Sequence, residues 1–288
     1  MRRSEELGAP AVVELPQGVV RYFERGAGRP VVFVHGLLVN AELWRKVVPA
    51  VADAGFRCLA PDLPMGSHEF PLRPDAELSP PGMADLIADF LDALDLRDVL
   101  LVANDTGGAI TQLLLTRRPE RVGAVVFTPS DCFECFLPPI FGPLPKLARI
   151  PGFGLIATAL LRVEPLQNLP FTFGLATKRP VDGEIVRRYL DPPWHSAGVR
   201  RDLRKFARQL DNRHTLEAAP KLAAFDKPVL LAWATEDRLF PLALGRRLAA
   251  AFPNARLVEI EDSYTFVPED QPAVLAGHIV EFAGVMAD

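Results

Sequence analysis

The amino-acid sequence predicts an α/β protein: a mostly parallel central sheet, helices on both faces, and an inserted, mainly helical segment. Three observations predict this class. Short apolar runs alternate with amphipathic helical stretches at both ends of the chain, the pattern left by parallel strands and right-handed crossovers. Prolines number 28 among 288 residues and crowd between Pro129 and Pro193. A central strand cannot run through such a stretch, because each proline removes a ladder donor; short helices joined by stiff turns can. Finally, 49% hydrophobic and 24% charged residues describe an ordinary globular chain, long enough to bury a full core without disulfides or metals. The expected organisation is a core over residues 1–130 and 217–288, with a helical cap over 131–216.

Taken in order, Val19–Phe23 reads as an early strand. Val31–His35 is a continuous apolar run, as a strand buried on both faces requires. Ala41–Ala54 has helical spacing through Leu43, Val47, Val48 and Val51 and stops at Gly55. Arg57–Ala60 is a strand closed by Pro61-Asp62. Met83–Leu94 carries Leu86, Ile87, Phe90, Leu91 and Leu94 on one helical stripe. Val99–Ala103, Gly107–Thr116 and Ala124–Thr128 then read strand, helix, strand. After the proline-rich segment come a strand at Pro228–Ala234, a helix at Leu242–Ala251, a strand at Arg256–Ile260 and a closing helix at Ala273–Phe282.

Several function classes are excluded. The net charge is -4 with both signs interspersed, so no basic stripe invites a nucleic acid. Met1-Arg2-Arg3-Ser4-Glu5-Glu6 has basic residues but not, behind them, the apolar run of about 7–15 residues that a secretory signal needs, so no signal is expected. Nor does any stretch approach the roughly 18 apolar residues of a membrane span. Three cysteines give no disulfide framework, so the expected compartment is a reducing cytoplasm. Cys132-Phe133-Glu134-Cys135 has redox-motif spacing, but without a second pair or a nearby histidine it reads as packing rather than a metal site. The expected partner is a small-molecule substrate, with no metal and no cofactor.

In parallel sheets, ligands sit beyond the carboxyl ends of the strands. There, Val102-Ala103-Asn104-Asp105-Thr106-Gly107-Gly108 runs from strand straight into helix. A side chain on so sharp a turn needs small neighbours, since the strand and helix backbones approach closely. An aspartate before glycines reads equally as a helix N-cap. The other strand ends weigh against that reading. His35-Gly36-Leu37 follows a buried strand, and Pro61-Asp62-Leu63-Pro64-Met65-Gly66-Ser67 follows the next. Glu236-Asp237-Arg238-Leu239-Phe240-Pro241 follows Ala232-Trp233-Ala234.

Together, in this order, these segments resemble the α/β-hydrolase fold superfamily over nearly the whole chain. By motif, the haloalkane dehalogenase and epoxide hydrolase branch is the most similar, with Asp105 at the nucleophile elbow where serine is commoner. The resemblance implies Asp105 as nucleophile and the backbone N–H groups of Leu37 and Thr106 as oxyanion donors. It also implies Asp237 as the supporting acid, with Asp131 as an alternative. The family's histidine is missing. In Asp262-Ser263-Tyr264-Thr265-Phe266-Val267-Pro268-Glu269, the flanks match and Thr265 occupies the histidine position. Threonine has no useful basicity near neutral pH, and general-base help is worth about 10²–10⁴-fold. Among the remaining histidines, His68, after Gly66-Ser67, is the best replacement base.

Subfamily markers are also absent. Thr106 stands where dehalogenases carry tryptophan and fluoroacetate-type enzymes arginine, and Tyr189 is the only tyrosine in the cap. Phe133, Phe136, Phe141, Phe153, Phe171 and Phe173 are candidates to line an apolar pocket. The expected function is a cofactor-free hydrolase for a small apolar substrate. Two alternatives stand beside it: a non-hydrolytic ligand-binding relative, and a lyase or isomerase using Asp105 as a general base.

Overall fold

The structure, a computed structural model, describes residues 3–167, 169 and 172–285. Among these, one sheet of eight strands has the order β1-β2-β4-β3-β5-β6-β7-β8. The strands are β1 (Ala9–Leu15), β2 (Gly18–Arg25), β3 (Arg29–Val34), β4 (Phe56–Pro61), β5 (Val99–Asp105), β6 (Val122–Ser130), β7 (Val229–Ala234) and β8 (Ala255–Ile260). From β4 through β8 the neighbours pair in parallel, while β2 runs antiparallel to both β1 and β4. The central strands β6 and β7 are buried at every position, which is why their sequences are continuous apolar runs.

Core helices are α1 (Val48–Asp53), α2 (Pro80–Ala93) and α3 (Thr106–Arg117). The segment between β6 and β7 contributes α4 (Leu144–Leu147), α5 (Phe153–Leu161), α6 (Glu164–Gln167), α7 (Gly183–His195), α8 (Ala197–Ala207) and α9 (Arg213–Ala218). Then come α10 (Leu242–Ala249), α11 (Val267–Asp270) and α12 (Pro272–Val285). α1 packs against α12, α2 against α3, and α9 returns from the insertion onto α3. Within the insertion, α5, α7 and α8 pack on one another. α7 buries Ile185, Val186, Tyr189 and Leu190, and Asp182 and Ser196 cap α7 and α8 by accepting from the amides of Glu184 and Val199. No helix among the described residues is long and apolar enough to cross a membrane.

Two elements differ from the sequence reading. Ala9–Leu15 is a strand, though Pro10 lies within it; at the sheet edge, paired only with β2, a missing donor is tolerated. Ala41–Ala54 is not one helix. It divides into a 3₁₀ turn, Ala41–Trp44, and α1, because Pro49 is accommodated only in the first turn of a new helix.

Candidate active site

Asp105 ends β5 with φ 56° and ψ -134°, a conformation that L-residues seldom adopt, and α3 starts at the next residue. Its side chain makes no helix-capping bond, which decides between the two readings of this turn: Asp105 is held out of the helix, not folded over its end. Gly107 makes the turn feasible. A Cβ there would stand 2.5 Å from the His35 carbonyl and 2.6 Å from that of Val34.

The Leu37 N–H donates to Asp105 Oδ2 at 3.2 Å, and the nearby Thr106 amide pulls electrostatically on the same carboxylate. Burial pushes the Asp105 carboxyl up to about 6, against the pull of these two amides. The residue nonetheless remains only half-buried, so it keeps surface that water can reach. His35 braces the loops around it. Its Nδ1 lies 2.8 Å from the Gly36 carbonyl, and its Nε2 accepts from the Leu63 amide at 2.9 Å. Both ring nitrogens are therefore occupied, and burial lowers this imidazole to about 4.

Asp237 lies in the turn after β7. Its Oδ1 accepts from the amides of Leu239 (2.7 Å) and Phe240 (2.6 Å), and Trp233 Nε1 fixes the turn through the Phe240 carbonyl at 2.8 Å. Burial raises the Asp237 carboxyl to about 7; the Phe240 amide, the Thr265 hydroxyl and the Leu239 amide oppose the rise, and the Asp105 charge adds to it. The Thr265 hydroxyl thus lies against Asp237 without completing a hydrogen bond: Thr265 Oγ1 and Asp237 Oδ2 are both buried and unpartnered.

A strained aspartate turn after β5, a backbone amide on its carboxylate and an acid after β7 are now in place on this strand order. The family model for alpha/beta hydrolases matches residues 31–278. The chain belongs to the alpha/beta hydrolase family. It is 28% identical to haloalkane dehalogenase 2 of Mycobacterium tuberculosis, covering 93% of this chain and 92% of that protein. To the cis-3-alkyl-4-alkyloxetan-2-one decarboxylase of Shewanella oneidensis it is 26% identical, covering 91% and 84%. Among solved structures, the haloalkane dehalogenase DatA from Agrobacterium tumefaciens superposes with a TM-score of 0.79 at 25% identity, covering 98% of this chain and 99% of that one.

In this alpha/beta hydrolase, Asp131 is a third acid of the site, fully buried just beyond β6. Its Oδ2 accepts from Thr106 Oγ1 at 3.1 Å, and Gln112 Nε2 holds its main-chain carbonyl at 2.8 Å. Burial, reinforced by the Asp105 charge, lifts its carboxyl well above the usual range. Asp131 therefore addresses Thr106, whereas Asp237 addresses Thr265. His68 stands elsewhere. Its Nε2 lies 3.3 Å from Asp202 Oδ2 of α8, and the same carboxylate accepts from the Leu72 amide at 2.7 Å. The structure pairs this histidine with Asp202 at the junction of the β4 loop with the insertion, and gives it no bond to Asp105, Asp131 or Asp237.

The insertion is stapled to the Thr265 loop. The Phe266 amide donates to the Ala176 carbonyl at 2.7 Å. Asp270 accepts from the amides of Lys178, Arg179 and Tyr264, and within the core its neighbour Glu269 makes a bidentate pair with Arg45. Phe173 packs against both Phe266 and Tyr189, at ring separations of 6.4 and 6.1 Å. Tyr189 itself feels the charges of Glu269 and Arg45. Phe133 and Phe136 are buried, Phe141 and Phe153 half-buried, and Phe171 lies outside the described residues. An open cleft lined by Gly123, Val229 and Ala255 sits at the amino ends of the strands, opposite to Asp105.

One residue escaped the sequence reading. Asn104 Nδ2 donates to Thr128 Oγ1 (2.7 Å), to the Pro129 carbonyl (3.3 Å) and to the Thr265 carbonyl (2.7 Å). The available signal was a polar residue closing an otherwise apolar strand.

Proposed function

We propose that this alpha/beta hydrolase is a cofactor-free enzyme that acts on small, apolar-bodied substrates through Asp105 as nucleophile. The observation that carries the reading is Asp105 itself: its carboxylate is held by the Leu37 amide, and the residue is only half-buried on a strained turn between strand and helix. A carboxylate oxygen attacks an sp³ carbon, the carbon–oxygen bond forms, and the leaving group departs with its electron pair. Water then adds to the ester carbonyl, the Leu37 and Thr106 amides receive the developing oxyanion, and collapse releases the alcohol. Thr265 stands in the place of the family's histidine. With no imidazole there, Asp237 is the base that adjoins the site, and its raised carboxyl suits it to take the proton of the attacking water near neutral pH. The helical insertion, residues 131–216, serves as the cap over the site, and its phenylalanines favour an apolar substrate.

The test is intact-protein mass after incubation with 1-bromohexane and with 1,2-epoxyhexane. The wild type acquires an adduct that decays to the alcohol or diol. Asp105→Asn acquires none, and Thr265→His shortens the adduct's life. In Asp237→Asn the adduct forms and persists, with decay slowed about 10²–10⁴-fold. Absence of adduct and product in every variant overturns the reading. Reversible tight binding of the same probes without chemistry would instead establish the ligand-binding alternative, which the Thr265 position favours.

A further inference from the structure

Cys132 and Cys135 sit at the base of the insertion, directly after Asp131. Both are free thiols. The amide of each donates to the carbonyl of the other at 3.0 Å, so the two residues form a hydrogen-bonded antiparallel pair flanking a two-residue turn. Such a pair holds its Cα atoms about 5.5 Å apart, inside the roughly 4.4–6.8 Å span that a disulfide bridges. Their side chains share one face of the ribbon.

The turn is held by its neighbours. Phe133 has φ 51°, a costly conformation for a bulky residue, and three side chains hold it there. Thr215 Oγ1 donates to the Phe133 carbonyl at 2.5 Å, and Asn212 Nδ2 to the Glu134 carbonyl at 3.2 Å. The Arg247 guanidinium lies 3.9 Å from the Phe133 ring centroid and binds both Glu134 carboxylate oxygens, at 2.6 and 2.8 Å. A C-x-x-C spacing on a clamped hairpin is pre-organised for ring closure, because little chain entropy remains to be lost.

We propose that Cys132 and Cys135 are a dithiol pair that closes into a disulfide across this hairpin, a redox modification site at the hinge of the insertion. An exchanging disulfide such as oxidised glutathione is the oxidant. The Cys135 thiolate, on the half-buried residue, attacks it and expels one glutathione thiolate. Cys132 then attacks Cys135 Sγ and expels the second. Two thiol protons leave, one protein disulfide forms, and oxidised glutathione is reduced to two molecules of glutathione.

The surroundings set the rate and the poise. Burial pushes Cys135 up to about 12, and the charges of Asp131, Glu134, Asp237 and Asp105 add to the rise. Cys132 is raised by burial, by Asp131 and by Cys135, with Arg247 opposing. Few thiolates exist at neutral pH, so closure is slow. The same destabilised thiolates make the disulfide the favoured product once formed, the converse of an oxidant whose reduced form is stabilised.

The experiment is incubation of the reduced, folded protein with oxidised glutathione at pH 8.5, followed by maleimide trapping in denaturant and intact mass. The expected product has lost two hydrogens and takes up one maleimide, at Cys58, where the reduced protein takes up three. Cys132→Ser and Cys135→Ser each abolish the loss. Three trappable thiols after prolonged oxidation, or a persistent glutathione adduct on Cys135 beside a free Cys132, overturns the proposal. So does closure that survives either serine variant, since the bridge would then involve Cys58.

Discussion

The side-chain amide of Asn104 reaches the main-chain carbonyl of Thr265 at 2.7 Å, across 161 positions of sequence. The same group also donates to Thr128 and Pro129, so one buried side chain joins the ends of β5 and β6 to the loop after β8. Asn104→Ala leaves buried acceptors without a donor, at about 1–3 kcal/mol for each such group. The expected melting temperature falls by roughly 2–4 °C per kcal/mol lost. Calorimetry of the variant checks this, and an unchanged transition would show that the bridge stabilises nothing.

Asp105 ties stability to pH in a direction that Asp62 reverses. The folded protein holds the Asp105 proton up to about 6, against an ordinary value of 3.8. The folded state therefore binds more protons than the unfolded chain between these values, and stability falls as pH rises through the window. Asp105→Asn escapes that loss. It should resist denaturant better than wild type at pH 7.5, with the gap closing towards pH 4; a constant gap would refute the assignment. Asp62 behaves oppositely. Burial raises it, but Arg3 and Arg21 outweigh burial and lower it, so its contribution is present at neutral pH and lost in acid. On the proposed mechanism adduct formation uses the ionised Asp105 carboxylate, so its initial rate, read as mass gain, should rise with pH through about 6.

The strand-and-helix frame was legible because strands buried on both faces must be continuous apolar runs, as Val99–Val102 and Val122–Phe127 are. The elbow was legible because Gly107 and Asp105 meet a steric requirement that few residues satisfy. Edge strand β1 was not, since Val12 is exposed and Pro10 interrupts the pattern. Nor could spacing show which acid faces Thr265. Asp131 and Asp237 both follow strands, and only the packed sheet turns the first to Thr106 and the second to Thr265. His68 looked like a spare base because its partner, Asp202, lies 134 residues away on α8.

Gly36 is where the site tolerates least. A Cβ at this position would stand 2.1 Å from Asp105 Oδ2 and 2.6 Å from Asp105 Cβ, closer than any real contact. Gly36→Ala must therefore displace the carboxylate, or the Leu37 amide that holds it, by a sizeable fraction of an ångström. A misplacement of about 1 Å costs on the order of 10²-fold in an oriented reaction. Adduct formation should fall by about that factor while the circular dichroism spectrum stays native. Wild-type adduct formation in Gly36→Ala would count against the proposed attack by Asp105 from this position.

Asp270 is one of the points at which the insertion is tied to the core. Its carboxylate accepts from Lys178 N at 2.9 Å, Arg179 N at 3.2 Å and Tyr264 N at 3.0 Å. Two of these amides belong to the insertion and one to the loop that carries Thr265, so one carboxylate bridges the two. Charged acceptors of this kind contribute about 1.5–3 kcal/mol each, and no neighbouring group can replace three at once. Asp270→Ala should raise amide hydrogen exchange over residues 176–180 and 262–266 while leaving β5 and β6 protected, because removing bonds confined to one junction opens that junction alone. Exchange rising across the whole sheet would instead make Asp270 a determinant of global stability, and exchange unchanged in both segments would show that the Phe266–Ala176 bond and the Lys178 and Arg179 ion pairs hold the junction without it.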